Sequence, residues 1–343
     1  MVDKYQIILY HYKMKAIYYE QTGEAKKVLK SGTFDDPQVK KDEVVLEILY
    51  SSVNPADTKQ RSGWISKKLN QEFIIPHTDG SGKVVEVGNP KYKNLIGKKI
   101  WICGGSKNQQ YGTCAQYYKL KKNKLICTPN NISASKSSIL GVPVATAYYS
   151  VFSEKKYSEK FVFISGGAGA VSNYAIQFAK LNGSKVITTV SNATKKNICK
   201  NLGADLVLNY KKISEIDIIN IVNEFTKGLL VDRVIEVDFG KNINLIPKII
   251  KNNGIVCSYS SSSIVKPKFD YYSYAPKGIN IKIVQAFLQN NKNISLIGNY
   301  VNKLMERNKI IHPKIETFRF NVAYKAHEFI ENQKKIGKSN IKI

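Results

Sequence analysis

From Phe161 onward, short apolar runs alternate with segments whose apolar residues recur at helical spacing. Phe161-Val162-Phe163-Ile164 is unbroken apolar, the pattern of a strand buried on both faces. A glycine-rich stretch follows, then Asn173–Leu181, where Ala175, Phe178 and Ala179 fall on one helical face. Val186–Val190 predicts the next strand and Lys195–Asn201 the next helix, with further strands at Leu206–Leu208, Val231–Val237, Gly254–Tyr259 and Asn280–Val284. This alternation predicts an α/β domain with a doubly wound parallel sheet. Up to about residue 135 the rhythm differs. Val44–Leu49, Lys83–Val87 and Lys99–Cys103 are β-rich runs separated by Gly, Pro and Asn, which predicts a compact β barrel or sandwich. The tail predicts a helix, Ala323–Asn332, and a strand, Asn340–Ile343, that rejoin the first region.

Composition narrows the class. A chain of 343 residues suggests two domains, and 43% hydrophobic with 10% aromatic residues can fill ordinary cores. No apolar stretch reaches the roughly 18 residues a membrane helix needs, and the run Ile7–Tyr10 is too short for a signal-peptide core. Cys103, Cys114, Cys127, Cys199 and Cys257 stand apart, so neither a disulfide framework nor a Cys-x-x-Cys zinc site can be drawn. The expectation is a reduced, cytoplasmic protein. The net charge of +27 adds a polyanion question. The excess is nearly all lysine, scattered along the chain, with arginine only at 61, 233, 307 and 319. That reads as solvated surface. A nucleic-acid partner is allowed by the charge but not favoured, since no aromatic RNA-binding cluster or Arg-rich segment accompanies it.

The chemistry starts at Ser165-Gly166-Gly167-Ala168-Gly169-Ala170-Val171-Ser172, between a predicted strand and a predicted helix. A Rossmann domain holds pyrophosphate at this point, because glycines admit the ligand and the helix start offers free N–H groups. Gly166, Gly167, Gly169, Ala170 and Val171 are the candidates, with a purely steric turn as the alternative. No acid occurs from Ser184 to Ala204, where NAD sites place a ribose-binding carboxylate. Ser191, Asn192, Thr194, Lys195 and Lys196 stand there instead, and a 2′-phosphate needs such donors. Ser191 and Lys195 therefore point to NADPH over NADH, unless the helix start is merely basic in a Lys-rich chain.

Together with that turn, other segments resemble the zinc-independent quinone oxidoreductases, the zeta-crystallin-like branch of the medium-chain dehydrogenase/reductase superfamily. They are Met14–Ile17, Ser52–Thr58, Arg61-Ser62-Gly63, Pro76–Gly88, Tyr111-Gly112, Val142-Pro143, Thr146–Tyr148, Leu202–Tyr210, Ala326–Glu328 and Gly337-Lys338. The resemblance implies a GroES-like β-rich catalytic domain over 1–137, with 1–13 as an extension. It also implies a Rossmann NADPH-binding domain over 138–287 and a C-terminal segment, 288–343, returning to the first. The implied activity is NADPH-dependent reduction of a quinone or conjugated enone, often by a homodimer. Alternatives within the resemblance are an alkenal or enoyl-thioester reductase, or an NADPH-linked nucleic-acid-binding protein.

Zinc-dependent cousins carry Cys where this chain has Asn54, and Gly-His-Glu where it has His77-Thr78-Asp79. Thr78 cannot replace a ligand histidine, so no metal is expected, and His77 reads as a structural loop residue. A conjugated acceptor suits a metal-free cleft, because the charge left by hydride addition is already delocalised and orientation can supply roughly 7–11 kcal/mol. In that cleft the resemblance puts Asn54 as a donor to cofactor or substrate, or as an Asn-Pro turn residue. Arg61 bonds substrate or braces Asp57. Tyr148 lines the nicotinamide side or packs. Tyr210 falls near the adenine, and Ser260 and Ser261 near the nicotinamide ribose. Lys59 and Ile65 depart from tyrosines common in bacterial relatives, and Ser172 replaces the last glycine of the turn. No general acid stands out, leaving solvent or the cofactor ribose as proton source.

Overall fold

The computed structural model describes residues 13–104, 110–153, 159–288, 291–332 and 335–343. Residues 1–12, most of the expected N-terminal extension, lie outside them. The apolar runs from Phe161 become a sheet of six strands, paired in parallel throughout. Their order is Leu206–Asn209, Lys185–Val190, Phe161–Ile164, Val231–Glu236, Ile250–Ser258, Asn280–Ile283. The order reverses between Phe161–Ile164 and Val231–Glu236. Ligands of doubly wound sheets bind at such a switch point, outside the carboxyl ends of the strands.

Apolar layers cover both faces of this sheet. On one, Val162 and Ile164 meet Ala175, Phe178 and Ala179 of the helix Ala170–Leu181. On the other, Phe161 and Phe163 meet Ile218 and Val222 of the helix Glu215–Phe225. Burial of a side chain such as Phe178, fully enclosed, stabilises by about 1.5–3 kcal/mol.

The first region folds around a second sheet of seven strands, ordered Ile315–Arg319, Lys338–Lys342, Glu43–Val53, Asp79–Val87, Lys99–Ile102, Ile126–Cys127, with Tyr117–Lys121 also paired to Glu43–Val53. Strand Glu43–Val53 runs past the expected end at Leu49. Its polar end is held from both sides: Ser52 lies opposite Asp79 on one strand and Asn340 on the other. Apolar patterning misses this stretch because Ser51 and Ser52, both buried, spend their hydroxyls on Thr113, His77 and the Ser339 carbonyl.

The C-terminal strands thus complete the seven-stranded sheet. It also supplies the helix Asn291–Glu306, whose Asn302 accepts from Trp101 Nε1 at 3.1 Å and donates to the Cys127 carbonyl at 2.7 Å. Among the described residues no helix is long and apolar enough to cross a membrane.

Candidate active site

The glycine turn is held by its own backbone. Gly166 adopts φ +62°, a left-handed conformation that glycine tolerates. Its N–H meets Thr189 Oγ1 at 3.2 Å, while those of Gly167 and Gly169 donate to Thr189 O and Gly166 O at 2.9 Å. A Cβ on Gly167 would stand 2.2 Å from Thr188 Oγ1 and 2.7 Å from Cys199 Sγ. The amides of Gly166, Gly167 and Gly169 are thus bonded inside the protein, and the missing side chains let the turn close against Thr188 and Cys199. The first bond of the following helix is Asn173 N–H to Gly169 O, at 2.8 Å. The N–H groups of Ala170 and Val171 precede it, without intrahelical acceptors, at the positive end of the helix dipole. Ser172 does not spoil the approach of helix to sheet. Its buried hydroxyl bonds the Ser165 carbonyl at 3.0 Å and lies 3.3 Å from the Tyr259 hydroxyl.

One strand over, Lys195 Nζ lies 3.2 Å from Ser191 Oγ, at the start of the helix Ala193–Asn201 that Asn192 caps. The two groups expected at a 2′-phosphate are therefore together. Tyr210, 38% exposed, bonds the Val190 carbonyl through its N–H, with Lys241 Nζ 5.0 Å above its ring. Ser261 is less available than expected: its hydroxyl receives Gly240 N–H and donates to Ile264 O. Ser260 Oγ contacts Ser262 Oγ at 2.9 Å, and Lys59 Nζ reaches Ser262 Oγ from the other domain at 2.5 Å.

In the first region, Asn54 caps the helix Pro55–Ser62 and anchors a buried polar cluster. Its Nδ2 donates to Asp79 Oδ2 at 2.7 Å and its Oδ1 accepts from Lys338 Nζ at 2.6 Å. Asp79 Oδ2 also receives Val142 N–H at 2.8 Å, at the start of the helix Gly141–Val151, where a helix dipole favours an anion. Asp57 Oδ2 accepts Asn54 N–H at 2.7 Å. Asp79 is 0% and Lys338 1% exposed. Burial raises the carboxyls of both Asp57 and Asp79 and lowers Lys338, opposed by their mutual attraction.

Two candidates are not part of this cluster. Arg61 neither reaches the cleft nor pairs with Asp57. Its buried guanidinium donates to the Gly23 carbonyl and pairs with Glu331, fastening its helix to Ala323–Glu331. Tyr148 packs edge-on to Phe152 and Tyr300 with ring centroids 5.0 and 5.4 Å apart.

His77, φ +78°, is buried against Ser51 Oγ, 2.8 Å from its Nδ1, and against His327 Nε2, 2.9 Å from its Nε2. Burial lowers His77 to about 3 and His327 well below the ordinary value, so both rings are neutral. Next in the chain, Thr78 Oγ1 is buried without a partner and Thr78 lines a cleft of about 310 Å³. Ala56, Asp57 and Ile65 share that wall, and Phe287 closes it from the nucleotide side. Among the described residues no group of three or more His, Cys, Asp or Glu is placed to hold a metal ion.

Residues 40–159 match the family model described as alcohol dehydrogenase GroES-like domain, and residues 170–301 the model described as zinc-binding dehydrogenase. The chain thus matches both domain models of the medium-chain dehydrogenase/reductase superfamily. Within it, the chain is 32% identical over 205 residues to a chloroplastic quinone-oxidoreductase homolog of Spinacia oleracea, covering 58% of this chain and 61% of that one. It is 26% identical, over 58% of this chain and 53% of the relative, to an NADPH-dependent alkenal/one oxidoreductase of Arabidopsis thaliana. The matches thus span little more than half of these curated relatives. The Escherichia coli quinone oxidoreductase solved with NADPH superposes with TM-score 0.80 at 21% identity, over 96% of this chain and all of that one, which shows the shared fold.

In this superfamily frame, reading the sequence alone missed Thr78 as a cleft hydroxyl and Asp79 and Lys338 as partners of Asn54. The only signals were Asp79 amid glycines on a strand and the Gly337-Lys338 pair. Neither residue's role can be seen without the other, 259 positions apart by subtraction of 79 from 338.

Proposed function

We propose that this chain is an NADPH-dependent reductase of quinones or conjugated enones that works without a metal ion. The observation carrying this reading is one interdomain arrangement: a glycine turn with free helix-start amides and a Ser191–Lys195 pair on one side, and a cleft walled by Thr78 and Asp57 on the other. The residues fit the dinucleotide. Ala170 and Val171 N–H would receive pyrophosphate, Ser191 and Lys195 the 2′-phosphate, and Tyr210 would flank the adenine. When bound, the reduced nicotinamide supplies hydride.

The chain's own residues orient and enclose. Asn54 is locked by Lys338 and Asp79, so its amide cannot swing. The same lock disfavours a metal, because the amide oxygen already faces an ammonium that repels a second cation. Relatives named as quinone and alkenal/one oxidoreductases support a conjugated acceptor. We further infer a homodimer through the edge strand Asn280–Ile283, where Ile283 is 68% exposed, and a cytosolic setting in which the five free thiols persist. The functional division is taken at 137/138 and 287/288.

The test is NADPH oxidation with 1,4-benzoquinone and 9,10-phenanthrenequinone, expected to be unaffected by chelator. Lys195→Ala should weaken NADPH binding about tenfold, the worth of a hydrogen bond to a charged group, and leave NADH binding nearly unchanged. Equal effects on both nucleotides would remove the phosphate role, and EDTA-sensitive oxidation of ethanol or sorbitol would overturn the reading.

A further inference from the structure

We propose that Asp57 is the general acid of the reduction, giving the acceptor its proton across the cleft wall. The proposal rests on the reductase reading above and identifies a proton source that the cleft motif did not reveal. Asp57 stands on the first turn of Pro55–Ser62, 5% exposed, lining the same 310 Å³ cleft as Thr78. One of its oxygens is committed, Oδ2 to Asn54 N–H at 2.7 Å. Among the described residues no other hydrogen-bond donor is placed on the carboxyl, so Oδ1 is the oxygen left to carry a proton.

The surroundings raise the carboxyl's affinity for that proton. Burial has the largest effect and pushes Asp57 up to about 7; the Asn54 hydrogen bond works against it, Asp79 adds to it, and Lys338 opposes. Tyr19 and Cys114 face the carboxyl from neighbouring segments, and both are held neutral by burial. Lys68 lies on the cleft wall, and Arg61, on the same helix, is turned away to Glu331 beside neutral His327. A carboxyl poised near the working pH is what proton transfer favours.

The balance is one hydride and one proton per turnover. At an enone's β-carbon a C–H bond forms with hydride supplied by the dihydronicotinamide, and the π pair moves to an enolate. The Asp57 O–H bond then breaks as the α-carbon C–H bond forms, its electron pair stays on the carboxylate, and solvent restores the proton. A quinone takes its proton on oxygen, where water suffices. The acid therefore matters for enones and little for quinones.

Asp57→Asn keeps an acceptor for Asn54 N–H and loses the proton. Turnover of an enone such as 2-cyclohexenone should fall roughly a hundredfold, the usual worth of a positioned acid, and quinone turnover, which shares the same cleft wall, by at least tenfold less than that. NADPH affinity by fluorescence titration should stay as in wild type. Wild-type enone turnover should fall as pH rises through about 7, because the acid form is the active one, and the variant should lose that limb. Difference infrared spectra of the unliganded protein should show a carboxylic-acid C=O band titrating in the same range in wild type and missing in Asp57→Asn.

Equal loss on both acceptor classes, or undiminished enone turnover, overturns the proposal. Should the variant not fold, the wild-type profile decides: a flat enone profile between about pH 5 and 9, or no titrating band, overturns it too. Wild type reducing neither acceptor class would instead sink the reductase reading, with the infrared band still reporting whether Asp57 holds its proton.

Discussion

The glycine turn and the Asn54 cluster are built by opposite means. The turn spans residues 165–172, uses backbone amides, and owes its shape to the absence of side chains. The cluster draws Asn54 and Asp57 from a helix start, Asp79 from a strand, Val142 from another helix and Lys338 from the last strand, and works through buried charge. A steric device can be written in eight consecutive residues. An electrostatic one must bring opposite charges together, and distant parts of the chain meet only once both sheets are complete. The turn should therefore fail locally and the cluster globally.

The sharpest test of that contrast is Lys338→Met. It leaves two buried carboxyls without their cation, a loss of about 3–5 kcal/mol in urea unfolding. Adding Asp79→Asn should recover part of that loss; strictly additive effects would show that the two do not interact. Gly167→Ala comes next, at about 1–3 kcal/mol, because its Cβ would press on Thr188 and Cys199. Its signature is lost NADPH binding by fluorescence titration, in protein whose unfolding remains a single transition. The smallest effect is expected for Ser172→Gly, which restores the glycine of the motif yet removes the hydroxyl from the Ser165 carbonyl. About 1 kcal/mol should be lost, and a gain in thermal unfolding would show that the serine is a defect.

The two regions differed in legibility for the same reason. The strands Phe161–Ile164, Lys185–Val190 and Leu206–Asn209 were found within a residue or so because buried parallel strands are apolar throughout. The Ser51–Ser52 end of Glu43–Val53 was not, because its burial depends on hydroxyl partners from Thr113, His77 and Ser339. Arg61 was noticed because arginine is rare here, yet rarity says nothing about direction, and Glu331 draws it away from the cleft. The Tyr300 ring against Tyr148 comes from a helix some 150 positions on, which local pattern does not show.

What the chain determines by itself is whatever neighbours in sequence can enforce. That includes the strand–glycine–helix rhythm, the absence of acid after Val190, and a basic helix start carrying Ser191 and Lys195. What only the tertiary structure decides is which polar groups are buried together. Desolvation and Coulomb attraction act over a few ångströms of space regardless of chain separation, so Asp57's raised affinity for a proton, the Asn54 lock and the neutral His77–His327 pair exist only in the assembled fold.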